Sequence, residues 1–217
     1  LVGDAGTGKS TELARLAHHF SGEDQALLPL MHSLNTYNPS DRIDALLPKP
    51  FHDVPPDLWL VILDGLDEVQ PKHRLDTIRR IEEFATEYPK ACIIVSCRSN
   101  FFTEGTPDYS GTISGFETCQ FLELGSKQIE KYLADRFAGK KNTFYTKAVE
   151  SGTDSLLCSP FYLRSLADIF AENGDLPQNR SRVFDVLIEI KLRTDIEHYR
   201  TTNEDLREDM PKIRSLL

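Results

Sequence analysis

Long apolar runs are missing from this chain, and cysteine is sparse and unpatterned. No stretch approaches the ~20 apolar residues that a membrane-spanning helix requires. Neither a membrane span nor a secretory leader is therefore expected. The four cysteines stand at 92, 97, 119 and 158 with no C-x-x-C pair. That spacing suggests neither a zinc site nor a disulfide framework and fits a reducing, cytoplasmic compartment. Cys92 and Cys97 fall in or beside an apolar strand, where cysteine packs as a small hydrophobe. Cations are also in deficit, with 25 Lys and Arg against 34 Asp and Glu and a net charge of -9. Binding to a phosphate backbone rests on clustered Lys and Arg, so nucleic acid is not an expected partner. The short runs Arg79-Arg80 and Lys140-Lys141 read as solvated ends of helices or loops. Repeats and low-complexity segments are absent. The remaining composition, 40% hydrophobic and 27% charged over 217 residues, suits one large domain or one domain with a small appendage.

What is present begins at once. Gly3-Asp4-Ala5-Gly6-Thr7-Gly8-Lys9-Ser10 fits G-x-x-x-x-G-K-[ST] without a mismatch. In this pattern the glycines let the backbone turn successive N–H groups inward around a phosphate. Lys9 reaches the outer phosphates as a point charge, and the Ser10 hydroxyl ligates Mg²⁺. Leu13, Leu16, Ala17 and Phe20 form one apolar helical face directly after it, and that helix presents its N-terminus to the same anion. The stretch from Gly3 to Ser10, with the adjoining Thr11, is therefore the expected nucleotide-binding segment. Only Leu1-Val2 precedes the loop, so most of the strand that normally leads into such a loop is expected to lie upstream, as in a segment of a longer protein.

Further along, Ser21 to Asp24 reads as a turn and Ala26 to Met31 as a strand with Pro29 near its start or on an edge. Asn35 to Ser40 is turn chemistry, Asp41 to Leu47 a short helix, and residues 48–57, with four prolines, a loop. Leu58 to Leu63 is continuously apolar, as a central parallel strand is, and Asp64-Gly65-Leu66-Asp67-Glu68 closes it. A carboxylate at that end stands where open α/β sheets bind ligands, and Asp64 is the expected Mg²⁺ ligand. A helix with Leu75, Ile78, Ile81, Ala85 and Tyr88 on one face follows. Ala91 to Ser96 is another buried strand, and Arg98 lies just past its end, where a guanidinium can sense or stabilise a γ-phosphate. Phe101 to Gly115 reads as an irregular connection and Cys119 to Leu124 as a further strand. Beyond it the period becomes helical. Ser126 is the expected N-cap of a helix carrying Ile129, Leu133 and Phe137, and further helices are expected near 143–150, 160–173 and 181–199, with another starting near 203.

Several of these stretches together resemble the NACHT branch of the signal-transduction ATPases with numerous domains, relatives of AAA+ proteins. Leu60-Val61-Ile62-Leu63-Asp64-Gly65-Leu66-Asp67-Glu68-Val69 is similar to the second acidic motif of that family, with a small residue after the metal Asp and an acidic pair three residues on. Val95-Ser96-Cys97-Arg98 resembles its sensor strand, with Cys97 where Ser is more usual. Leu124 to Phe137 resembles the opening of its helical domain. Ser159-Pro160-Phe161-Tyr162-Leu163 resembles its short proline motif, and Gly174 to Arg180 leading into Phe184 follows its pattern too. The resemblance spans essentially the whole chain. The stretch between Ser10 and Asp64 is short for the family, and its winged-helix domain would lie beyond Leu217.

The resemblance implies a three-layer α/β P-loop NTPase core over residues 1–125, its parallel sheet lacking part of the first strand. A small helical subdomain would cover 126–200, with 201–217 starting a winged-helix-like unit. It implies ATP/ADP and Mg²⁺ as cofactors: Lys9 on the β- and γ-phosphates, Ser10 and Asp64 on the metal, and Pro160 near the adenine. Asp67 or Glu68 would orient the attacking water, and Arg98 would read the γ-phosphate. The implied activity is slow ATP hydrolysis driving an oligomerisation and signalling switch, in an immune or antiviral role by family analogy. Its partners would be copies of itself and effector and sensor domains outside this segment. A mechanical AAA+-type ATPase and a nucleotide-binding scaffold without turnover are the alternatives. The first requires an arginine finger from a neighbouring subunit, and Arg136, Arg164 and Arg182 all fall in expected helices.

Overall fold

The computed structural model describes residues 1–22, 27–104 and 112–202. The chain divides into two compact units, Leu1–Glu123 and Leu124–Leu217.

The first unit is α/β, and its strands run parallel. They are β1 (Val2–Gly3), β2 (Leu28–Ser33), β3 (Trp59–Asp64), β4 (Cys92–Val95) and β5 (Cys97–Arg98). β3 lies between β2 and β4, with Leu30 opposite Val61 and Val61 opposite Ile93. β5 resumes β4 after Ser96 and pairs on its other side with β1, Val2 opposite Cys97 and Gly3 opposite Arg98. Val2 in turn bridges Gln120, also parallel. Across the unit the order is therefore β2, β3, β4 running into β5, then β1, then Gln120. From β1 the chain departs toward the β2 edge, and from β5 toward the Gln120 edge. Adjacent strands whose connections diverge leave a crevice at their C-terminal ends, and those ends here are Gly3 and Arg98, with Asp64 on the next strand over.

The apolar run of β3 is continuous because helices cover both of its faces. On one face, Leu13 of α1 (Lys9–Phe20) clusters with Leu60 and Ile62. On the other, Ile78, Ile81 and Phe84 of α3 (Arg74–Glu87) join the cluster that holds Val61 and Leu63. All four of these β3 side chains are closed to solvent.

Several local expectations are corrected. The proline-rich stretch is not all loop: α2 (Lys49–His52) is a single turn with Pro50 in its first positions, where the missing N–H costs nothing. A second short turn, Pro56–Leu58, starts with proline for the same reason. The short helix expected over Asp41 to Leu47 is a 3₁₀ turn at Ile43–Leu46. Phe101 lies within α4 (Ser99–Glu104), not in an irregular segment. The strand expected at Cys119 to Leu124 is reduced to the Gln120 bridge, made by Val2 N–H to Cys119 O at 2.8 Å and Phe121 N–H to Val2 O at 2.7 Å. Leu122, two residues past the bridge, is 77% exposed. Cys92 is exposed although it lies in β4, while Cys97 is buried. The turn expected at Ser21 to Asp24 and the start of the next strand at Ala26 fall partly outside the described residues.

The second unit is helical: α5 (Ser126–Phe137), α6 (Lys141–Glu150), α7 (Pro160–Asn173) and α8 (Arg180–Thr202). Gly125, not Ser126, is the N-cap of α5, and the Gln128 side chain accepts the Gly125 N–H at 2.8 Å. Its core gathers Leu133, Phe144, Leu157, Leu166, Ala167 and Val183. Phe144 stacks on Phe137 at 5.6 Å between ring centroids and meets Phe170 edge-on at 5.4 Å. α7 ends at Gly174, whose positive φ of 70° is the left-handed stop that glycine supplies. The helix start expected near residue 203 lies outside the described residues. No helix among the described residues is long and apolar enough to cross a membrane.

Candidate functional site

The loop from Gly3 to Gly8 joins the C-terminal end of β1 to the first turn of α1. Lys9 turns back over it, its Nζ donating to Gly3 O at 2.6 Å and Asp4 O at 3.0 Å. Thr7 is buried and ties the loop across, its Oγ1 donating to Asp4 O at 2.8 Å. Asp4, Ala5 and Gly6 form an exposed rim. Gly8 caps α1 in the left-handed conformation, with no side-chain hydrogen bond to the helix start. The first intrahelical bond is Glu12 N–H to Gly8 O at 2.9 Å, so the N–H groups of Lys9, Ser10 and Thr11 have no intrahelical acceptor. Ser10 and Thr11 are exposed. Gly3 is required by crowding: a Cβ there would lie 2.8 Å from Phe121 Cβ and 3.1 Å from Thr7 Oγ1.

Asp64 ends β3 and is half-buried. Opposite it stands Ser96, 1% exposed, between β4 and β5. Its hydroxyl donates to Asp64 Oδ1 and accepts the Gly65 N–H at 2.8 Å. Its main chain is tied as well, N–H to Leu63 O at 2.9 Å and O accepting the Leu66 N–H at 2.9 Å. Ser96 thus clamps the start of the acidic turn and orients its first carboxylate. In sequence, Ser96 lies in the Val95–Arg98 stretch with no role assigned to it. The available signal was a hydroxyl inside an apolar strand at the same depth as Asp64.

The turn continues through Leu66–Glu68, with Gly65 at a φ of 83°. Glu68 folds back over it, its carboxyl carbon 3.2 Å from where a Gly65 Cβ would stand. Glu68 is exposed, and its carboxylate makes no hydrogen bond or ion pair among the described residues. Asp67 is committed. Its Oδ1 accepts the Arg98 N–H at 2.9 Å, and its Oδ2 pairs with Arg98 Nε at 3.0 Å. Arg74 holds this turn from α3, donating to Asp67 O at 2.8 Å and Val69 O at 2.9 Å. Its guanidinium lies 4.5 Å from the Phe101 ring centroid. Between these groups the Cys97 thiol is pushed up to about 12, chiefly by burial, with the charge of Asp67 acting in the same direction.

Gly3 is directly opposite Arg98, β5 continues β4 after Ser96, and β4 is one strand spacing from β3. Adjacent strands lie ~4.8 Å apart, so the loop, Arg98 and the acidic turn share one edge of the sheet. That edge offers free N–H donors, an ammonium, a guanidinium, a hydroxyl and two carboxylates. This donor set fits a phosphate chain carrying a hard cation. Among the described residues no group of three or more His, Cys, Asp or Glu side chains could hold a metal ion by itself. Mg²⁺ is commonly held by one or two carboxylates together with substrate phosphates and water, which Ser10 and Asp64 suit. Pro160 belongs to the other unit, at the first position of α7. Arg136, Arg164 and Arg182 also lie in that unit's helices, paired with Asp168, Asp168 and Asp185. No protein-family model matches this chain, and no curated protein matches it.

Proposed function

We propose that the chain is a NACHT-type P-loop NTPase module that binds ATP and ADP with Mg²⁺ at the Gly3–Ser10 loop and hydrolyses ATP slowly as a signalling switch. One observation carries this reading. An uncapped helix start with its lysine folded over the loop carbonyls stands at the C-terminal edge of a parallel sheet, beside Asp64 and Arg98. Lys9 exchanges two loop carbonyls for the outer phosphates, so the ammonium stays paired with and without nucleotide. The free N–H groups at the start of α1 take phosphate oxygens. Ser10 and Asp64 hold Mg²⁺, which when bound neutralises the phosphate charge. Arg98 occupies both oxygens of Asp67, leaving Glu68 as the carboxylate that orients the attacking water. Exchange of ATP for ADP removes the group that Arg98 reads, which is how nucleotide switches change state. Copies of this chain together with effector and sensor domains are the partners.

The test is equilibrium binding of ATP and ADP with and without Mg²⁺ to the unmodified chain, Lys9→Ala and Asp64→Ala. Lys9→Ala is expected to lose binding, and Asp64→Ala to lose the Mg²⁺ dependence alone. Equal binding by Lys9→Ala, or none by the unmodified chain, defeats the proposal.

A further inference from the structure

Arg98 carries five N–H donors on its guanidinium and one on its main chain. A single carboxylate holds it at both ends. Asp67 Oδ1 takes the main-chain N–H at 2.9 Å, and Oδ2 takes Nε at 3.0 Å. The Asp67 side chain is 13% exposed and that of Arg98 49% exposed, so the pair is anchored on the acidic side and open on the cationic side. Capture through Nε fixes the side-chain torsions of Arg98 and leaves its four Nη–H donors uncommitted among the described residues. Asp67 is itself immobilised, since Arg74 grips its carbonyl and that of Val69 while stacking on Phe101. Such support is costly to build for an exposed ion pair of small intrinsic worth. It is well suited to aiming a planar fork at a second anion.

Resting on the nucleotide reading above, we propose that Asp67 is a positioning residue for Arg98. By holding Nε it aims the free edge of the guanidinium at the third phosphate and so sets the preference for ATP over ADP without touching nucleotide. Asp67→Asn is a clean probe. The amide oxygen still accepts the Arg98 main-chain N–H, but the amide nitrogen cannot accept Nε–H, so only the aiming contact is lost. If that variant is unstable, Asp67→Glu displaces the carboxylate by one methylene and serves the same purpose.

The experiment measures Mg²⁺-dependent affinity for ADP and for the ATP analogue with a nitrogen bridge between the β- and γ-phosphates. The chains are the unmodified protein, Lys9→Ala, Asp67→Asn, Arg98→Gln and the double variant. Asp67→Asn is expected to lower the ratio of analogue to ADP affinity about tenfold, the range of a charge-assisted hydrogen bond, with ADP affinity unchanged. The double variant is expected to match Arg98→Gln, because Asp67 has nothing left to aim. An unchanged ratio in Asp67→Asn, or a further drop in the double variant, overturns the inference, and intact binding lost in Lys9→Ala shows that the nucleotide reading survives. No binding by the unmodified chain removes both.

Discussion

Ser96→Ala isolates the clamp on the acidic turn. Alanine keeps both main-chain bonds of residue 96, to Leu63 O and from Leu66 N–H, and removes only the hydroxyl. Two losses follow. The Gly65 N–H, on a buried residue, loses its acceptor at 2.8 Å, and an orphaned buried donor costs about 1–3 kcal/mol. Asp64 loses its donor from Ser96. Because that carboxylate is half-buried, water restores part of the bond, and about 1 kcal/mol is a fair allowance. The void left by one oxygen is small, so the sum is about 2–4 kcal/mol, at the high end for a point substitution. The protein has one tryptophan, Trp59, which is 4% exposed at the start of β3. Its fluorescence therefore reports the first unit alone during urea unfolding. With a urea slope of about 2 kcal/mol per molar for a unit of this size, the midpoint falls by about 1–2 M. A midpoint within about 0.2 M of the unmodified chain would refute the clamp and leave the orientation of Asp64 without a cause.

Gly3→Ala forces a Cβ to 2.8 Å from Phe121 Cβ. Overpacking against an atom so near the backbone costs about 1–3 kcal/mol, and the Trp59 unfolding midpoint should fall while Ala5→Ser on the exposed rim leaves it unchanged. At alkaline pH, burial pushes Cys97 up from 9.0 and Tyr37 up from 10.0, each to about 12. Both shifts favour the protonated form in the folded state, so their contribution is fully present below pH 9 and is lost as pH climbs toward 12. The same unfolding midpoint should drop over that window, and less steeply in Tyr37→Phe; a flat profile would contradict the burial of these groups. At about pH 8, where exposed thiols react, iodoacetamide should label Cys92 and Cys119 and spare Cys97, as read by peptide mass spectrometry.

How far the fold was legible depended on whether a residue's neighbours are local. β3 and the face of α1 were readable because period and burial are written in consecutive residues: Leu60 to Leu63 are apolar on both sides, and Leu13 packs where its spacing requires. The prolines of 48–57 read as loop because propensity records the missing N–H and not its harmlessness at a helix start. The Gln120 segment shows the opposite failure. Its sequence supports a full strand, but a strand exists only where a neighbour pairs with it, and among the described residues that pairing is confined to the Val2–Gln120 bridge.

The same distinction governs the site. The turn between β1 and α1 was legible because its glycines dictate a local backbone shape. The two acids after Gly65 were not distinguishable, since Asp67 and Glu68 are adjacent carboxylates of similar reach. What separates them is a register between distant strands. That register sets Ser96 beside Asp64 and brings Arg98 to Asp67, 31 residues away. Asp67 is thereby consumed by a cation and Glu68 is not. An acidic pair three residues past Asp64 need not be two copies of one role. The strand beside it can engage one carboxylate as a support and leave the other for chemistry.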